Sequence, residues 1–271
     1  MESWMRFIRR AWKSPLGEAR LKSQERNNIM LIGIFSDVHS NLEALTSALK
    51  FFDDIDVTQY FFLGDLIGYG ANPNECVELV KRLRCVGVAG NHDFGVLQKT
   101  PLEDFNPFAL EALLWTQAQL NEEAKRYIDL LELTERFEPC FLVHGAPSSP
   151  ASWEYIFGLK EAAYEFNSFS ARVCLIGHTH CPFAIVKTPD GSFNAIKEAE
   201  FTIEKNNRYL INVGSVGQSR DGDPRACVAV FDNKTNKFFF KRLNYDIKTA
   251  QKKILAAGLP PYLAYRLEQG R

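Results

Sequence analysis

The chain has 271 residues, 46% hydrophobic and 13% aromatic, which is enough apolar side chain for a packed core in one large or two small domains. A formal net charge of -1 excludes a global basic field able to hold a nucleic-acid backbone or an anionic bilayer, so an anionic substrate must be gripped locally. The six cysteines show no C-x-x-C pair, which fits reduced core thiols in a cytoplasmic setting, and no apolar run nears the roughly 18 residues of a membrane span.

Residues 1–28 form a basic N-terminal extension in which Arg6, Arg9, Arg10 and Lys13 are interleaved with Trp4, Phe7, Ile8 and Trp12. It reads as a disordered tail or an upstream start before Met30. The alternative is a basic amphipathic helix lying on a membrane or a partner. It lacks the continuous apolar stretch of a signal peptide.

From Ile29 short apolar runs alternate with helical patterns, which predicts strand–helix–strand units around a buried sheet. IMLIGIF is the first run, followed by a helix with Leu42, Leu45, Leu49 and Phe52 on one face and a capping box of Ser40 and Glu43. QYFFLG leads into a second helix with Asn72 as cap and Pro73 in its first turn. CVGVAG, PCFLVHG and RVCLIG are further strands, with a helical insertion over about residues 106–133 between the first two of these. Beyond residue 180 turns at Pro189–Gly191, Asn206–Asn207 and Asp232–Asn236 separate FAIVK, RYLINV, CVAVF and KFFFKRL. This hairpin region is expected to be a second sheet packed on the first, within a single domain over residues 29–271.

Chemistry gathers at the ends of the buried runs. Asp37 and His39 follow the first and Asp65 the second. Asn91, His92 and Asp93 follow the third, His144 the fourth, and His178 and His180 the fifth. A lone histidine at a strand end is ordinarily a solvated or hydrogen-bonded residue. Here all five histidines stand at strand ends beside Asp, Asn or Gly. In open α/β sheets the ligand crevice lies beyond the carboxyl ends of the strands, so these groups can converge there. Their N and O donors are about enough for two divalent metal ions with open positions.

The motifs DVH (Asp37–His39), GDLIGYG (Gly64–Gly70), GNHD (Gly90–Asp93), VHG (Val143–Gly145) and GHTH (Gly177–His180) resemble, in order and spacing, those of the calcineurin-like metallophosphoesterase superfamily. The resemblance implies an α/β fold, an αββα sandwich of two mixed β-sheets flanked by helices. It implies one ion on Asp37, His39, Asp65 and His180 and another on Asp65, Asn91, His144 and His178, with Asp65 bridging. His92 matches the histidine that approaches the leaving group, and Asp93 becomes a candidate orienter of that ring. Two such ions can supply a hydroxide nucleophile and clamp the phosphoryl group. Without a cysteine among the donors, Mn, Fe, Zn, Co and Ni are all compatible.

The run INVGSVGQSRDGDPRA (Ile211–Ala226) resembles a segment of a bacterial branch of phosphodiesterases and diadenosine-tetraphosphatase-like proteins. Its glycines would bring backbone N–H groups to an anion, and Arg220 or Arg225 would add a phosphate contact; the alternative is an ordinary turn with structural Arg–Asp pairs. Tyr69 is a candidate for stacking on a nucleobase or sugar, with simple packing as the alternative.

Two departures from that branch, Ser40 and Ser219, remove no donor. Protein serine/threonine phosphatases and symmetrical diadenosine tetraphosphatases carry an Arg after the Gly-Asp motif, where this chain reads Ile67, Gly68 and Tyr69. The protein phosphatases carry another before Gly-Asn-His, where it reads Ala89. The expected activity is therefore that of a phosphodiesterase on a small nucleotide or similar soluble phosphoester. A phosphomonoesterase or protein phosphatase is the alternative, and a non-catalytic scaffold a more distant one. Long nucleic acid is not an expected partner, and the natural substrate, the native metal and the oligomeric state are left open.

Overall fold

The computed structural model describes residues 30–271, and the extension over residues 1–28 lies outside the described residues. Strand β1 (Leu31–Phe35) feeds helix α1 (Leu42–Asp54), and β2 (Gln59–Phe62) feeds α2 (Pro73–Leu83). A two-residue β3 (Val86–Gly87) then leads through α3 (Asn91–Val96) to α4 (Pro107–Gln119) and α5 (Glu122–Asp129). The predicted insertion is thus two helices, broken at Leu120 because Asn121 caps the second by accepting from Ala124 N at 2.8 Å.

A hairpin of β4 (Thr134–Phe137) and β5 (Cys140–Val143) follows, then α6 (Leu159–Glu165), β6 (Val173–Ile176), β7 (Phe183–Lys187), β8 (Phe193–Ile196), β9 (Glu200–Thr202) and β10 (Arg208–Asn212). The chain closes with β11 (Ala226–Asp232), β12 (Lys237–Leu243), α7 (Ile247–Ala256) and α8 (Pro261–Tyr265). Strands β4, β8 and β9 had no signal in the sequence because they are short and half exposed, without an apolar run.

Among the described residues there are two six-stranded mixed sheets, ordered β3-β2-β1-β11-β12-β9 and β4-β5-β6-β10-β7-β8. This corrects the expected division at residue 180. β11, β12 and β9 extend the first sheet, while β5 and β6 belong to the second. Pairing decides the matter: Ile34 lies beside Phe61 on one side of β1 and beside Ala229 on the other. A sheet edge left unpaired at β1 would have stranded a row of buried peptide groups.

Along β1, Ile32 and Ile34 point between the sheets, where they meet Phe61, Leu142, Leu175, Tyr209 and Ile211. Phe35 points the other way, onto Ala44, Leu45 and Phe52 of α1. Each fully buried side chain of this kind contributes about 1.5–3 kcal/mol. The cap of α1 is Asn41, whose Oδ1 accepts from Ala44 N at 3.1 Å. The predicted Ser40–Glu43 box does not form, because Ser40 takes φ 54° and belongs to the loop that carries Asp37 and His39.

Candidate metal centre

β1, β2 and β3 are parallel, as are β5, β6 and β10, so the loops after β1, β2, β3, β5 and β6 emerge along one edge of the sandwich. Backbone strain concentrates there. Asp37, His39, Asp65, His178 and His180 all hold positive φ, between 47° and 68°, a region that penalises a side chain with a Cβ. Gly90 and Gly177 make the close approach possible. A Cβ on the first would stand 2.1 Å from Asp65 Oδ1, and one on the second 2.1 Å from Ser36 Oγ.

Each carboxylate is tethered by one oxygen and free at the other. Asp37 Oδ2 accepts from His178 N at 3.1 Å and Asp65 Oδ1 accepts from His92 N at 2.9 Å. The remaining oxygens face the imidazoles: Asp37 Oδ1 lies 3.3 Å from His180 Nε2, and Asp65 Oδ2 lies 3.6 Å from His39 Nε2 and 3.3 Å from His144 Nε2.

The rings are oriented by backbone carbonyls. Nδ1–H donates to Ile67 O in His39, to Leu63 O in His144 and to Gln218 O in His180, leaving Nε2 as the lone-pair atom. His178 is reversed, donating Nε2–H to Trp153 O at 2.7 Å and leaving Nδ1.

Two groups of donors result, Asp37 with His39, Asp65 and His180, and Asp65 with His144 and His178, the atoms within each lying within 4.8 Å of one another. Asp65 is common to both. Asp37 Oδ1, Asn91 Oδ1 and His144 Nε2 are buried without a hydrogen-bond partner. A set of orphaned buried oxygen and imidazole donors is costly unless a cation completes it. The residues therefore fit divalent metal ions.

Electrostatics agree with that fit. Burial holds His39 and His180 well below the ordinary histidine value and takes His178 down to about 3 and His92 to about 4, so these rings are neutral and their lone pairs available. Burial raises Asp37 to about 7; Asp65, which burial alone would also raise, is held well below the carboxylate range by His144, His92 and His39. His144 is the exception: Asp65 raises it to about 9 despite burial, so near neutrality its Nε2 carries a proton that a metal ion would displace on binding.

The other expected residues divide. Asn91, His92 and Arg220 line an open cavity together with Asp65, His178 and His180. The buried Nδ1 of His92 has no partner. Asp93 does not orient that ring: its Oδ2 accepts from Gly90 N at 3.0 Å and its Oδ1 from Leu66 N at 3.0 Å and Ile67 N at 3.4 Å. Its work is to tie the Asp65 loop to the Asn91 helix.

Tyr69 borders the cavity but is only 5% exposed. Its ring is enclosed by His39 at 4.6 Å, His92 at 4.5 Å and the Arg220 guanidinium at 5.7 Å, so it packs and has no free face for a base. Arg225 is exposed, bound to Asp223 at 2.6 Å, and does not line the cavity. The glycine-rich run is a brace: Gly217 N donates to Asp37 O, Val216 N to Ser36 O and Arg220 N to His180 O, leaving these N–H groups unavailable to an anion.

Sequence reasoning missed Trp153 and Tyr155. They lie in a loop with no periodic pattern, yet Trp153 O fixes His178, and Tyr155 stacks on the same ring with centroids 3.9 Å apart and planes 9° from parallel.

The model of the calcineurin-like phosphoesterase superfamily domain matches residues 30–236. The chain belongs to the calcineurin-like phosphoesterase superfamily. An uncharacterized protein of Methanocaldococcus jannaschii is 39% identical over 246 residues, covering 89% of this chain and 98% of that protein. A solved metallophosphoesterase from Sphaerobacter thermophilus is also 39% identical, with a TM-score of 0.79, covering 90% of this chain and 100% of that one. A hypothetical protein from Pyrococcus horikoshii OT3 shares the fold at 19% identity, with a TM-score of 0.76, 89% of this chain and 98% of that one being covered. The two mixed sheets flanked by helices are those expected of the superfamily, and the chain is a phosphoric ester hydrolase. Among the described residues no helix is long and apolar enough to cross a membrane.

Proposed function

We propose that this chain is a metal-dependent phosphodiesterase acting on a small nucleotide or a similar soluble phosphoester in the cytoplasm. The observation that carries the reading is Asp65 Oδ2, an oxygen shared by two neighbouring groups of buried donors. One ion would be held by Asp37, His39, Asp65 and His180, and a second by Asp65, Asn91, His144 and His178. Bound there, divalent ions lower the pKa of a water nucleophile and neutralise charge on the phosphoryl oxygens.

The protein supplies the rest. Arg220 is held toward the cavity by Gln218 Oε1, which accepts from its Nη2 at 2.9 Å, and so offers a guanidinium to a phosphoryl oxygen. His92 lines the cavity and, neutral but still an N–H donor, can give a hydrogen bond to the departing oxygen from the ring nitrogen that is not buried against Gly68. Tyr69 and the Ile67 carbonyl hold His39 in place.

The diester reading rests on the likeness of the Ile211–Ala226 run to phosphodiesterases; outside the donor groups Arg220 is the one Lys or Arg lining the cavity among the described residues, and Asp104 lines it too, so the wall adds no net charge of its own. The test is turnover of bis-p-nitrophenyl phosphate against p-nitrophenyl phosphate with Mn, Fe, Zn, Co and Ni added separately, and Asp65→Asn as control. Metal-dependent diester bias that disappears in the control is the expected result. A monoester bias would make the chain a phosphatase, and inactivity with every metal would move it toward a binding role.

A further inference from the structure

Trp153 holds a left-handed backbone conformation, φ 55° and ψ 33°, where it ends the 3₁₀ turn Pro150–Ser152. That region is an outlier for so bulky a side chain, and such residues persist, often at functional sites, when their surroundings fix them. Here the surroundings do so on every side. The indole Nε1–H donates to Thr100 Oγ1 at 3.0 Å, and the ring meets Phe94 edge-on with centroids 5.6 Å apart. The same ring lies 6.1 Å from that of His144 at 68°, and the backbone carbonyl accepts from His178 Nε2 at 2.7 Å. The next residue pins the loop: Ala146 N donates to Glu154 O at 3.2 Å, and a Cβ on Gly145 would stand 3.0 Å from that oxygen.

These contacts sort by donor group. Phe94 belongs to α3, which Asn91 opens, and Thr100 follows the end of that helix. Trp153 thus touches His144 and His178 and is tied to the helix that carries Asn91. Those are the three donors proposed for the second ion beside the shared Asp65. The first group is held by other means, Ile67 O orienting His39 and Gln218 O orienting His180. We infer that Trp153 is a positioning residue for the second ion alone, setting how tightly Asn91, His144 and His178 hold it while leaving the first ion unaffected. Without the indole, neither Thr100 nor Phe94 restrains the strained backbone. The carbonyl is then free to leave His178, which loses the acceptor that keeps Nδ1 as its lone-pair atom. The inference rests on the two-ion arrangement proposed above.

The test is elemental analysis of the full chain equilibrated against a series of chelator-buffered Mn concentrations, with bis-p-nitrophenyl phosphate turnover measured on the same samples. The wild type should take up two ions. Trp153→Ala should keep one at wild-type affinity and bind the other about 10–100-fold more weakly, the range for a lost ligand-orienting partner, with turnover recovered at high Mn. Thr100→Val removes only the acceptor of the indole N–H. It should weaken the same ion by about tenfold, the lower end of that range, and decides the matter if Trp153→Ala does not fold. Weakening of both ions alike would make Trp153 a residue of the fold and not of the site, and unaltered affinities in the variants would equally overturn the inference. A wild type that takes up one ion or none would overturn it together with the two-ion arrangement. Two ions with the selective loss, but no diester turnover, would sustain it and defeat the phosphodiesterase reading alone.

Discussion

His39 Nε2 and His180 Nε2 face each other at 3.1 Å, although each ring has already given its Nδ1–H to a backbone carbonyl. Two neutral imidazoles in that state point lone pairs at each other. Asp37 Oδ1 lies 3.3 Å from the second ring and adds more negative charge. The arrangement is stable with a cation and repulsive without one. Chelation should therefore destabilise the fold. A metal present at 100 times its dissociation constant stabilises by about 2.7 kcal/mol, and a domain of this size shifts by about 2–4 °C for each kcal/mol. Calorimetry before and after chelation should show a melting temperature lower by roughly 5–10 °C, restored on adding metal. An unchanged melting temperature would contradict the metal assignment.

His92 contacts no metal-facing oxygen through its side chain, and only its backbone N–H holds Asp65. Truncation to Ala keeps that N–H. The variant should retain its metal content by elemental analysis and lose about 10²–10³-fold in turnover of diesters with alkyl leaving groups, the range for one lost hydrogen-bond donor to developing charge. The loss should be smaller with p-nitrophenolate, which departs without help. Equal turnover on the alkyl substrates would remove His92 from the reaction.

Asp93→Asn tests the corrected role of that residue. The amide can still accept from Leu66 N and Ile67 N, but its NH₂ then opposes Gly90 N–H, donor against donor. An unmade buried hydrogen bond costs about 1–3 kcal/mol, so denaturant unfolding should show a loss of that size. Unaltered stability with a displaced pH profile of kcat would instead restore the expected partnership with His92.

Arg220 and Arg225 should separate cleanly. Arg220→Ala should raise KM for a diester about tenfold or more, as expected for a lost charge-assisted contact. Arg225 is exposed and paired with Asp223, so Arg225→Ala should leave KM within about twofold and stability within about 1 kcal/mol. A matching rise in KM in both variants would return Arg225 to the site.

The candidate donors could be read from the sequence alone. Asp37, His39, Asp65, Asn91, His144, His178 and His180 were legible because each ends a continuous apolar run, and a run of that kind is a buried strand whichever sheet it joins. The order and spacing of the motifs likewise carried the superfamily. Tertiary structure decided what the same residue types do once burial and partners are fixed. Tyr69 and Tyr155 are both tyrosines in loops, yet one is buried between two histidines and the other, stacked on His178, stays partly exposed at the cavity wall. Arg220 and Arg225 are five positions apart on one loop, and only the first turns inward. Asp93 sits beside His92 in the chain but bonds three backbone amides instead. Sheet membership was hidden for the same reason: the pairing of β1 with β11 joins residues about 200 positions apart, as Leu31 with Asp232, and no local pattern records which distant edge a strand will meet.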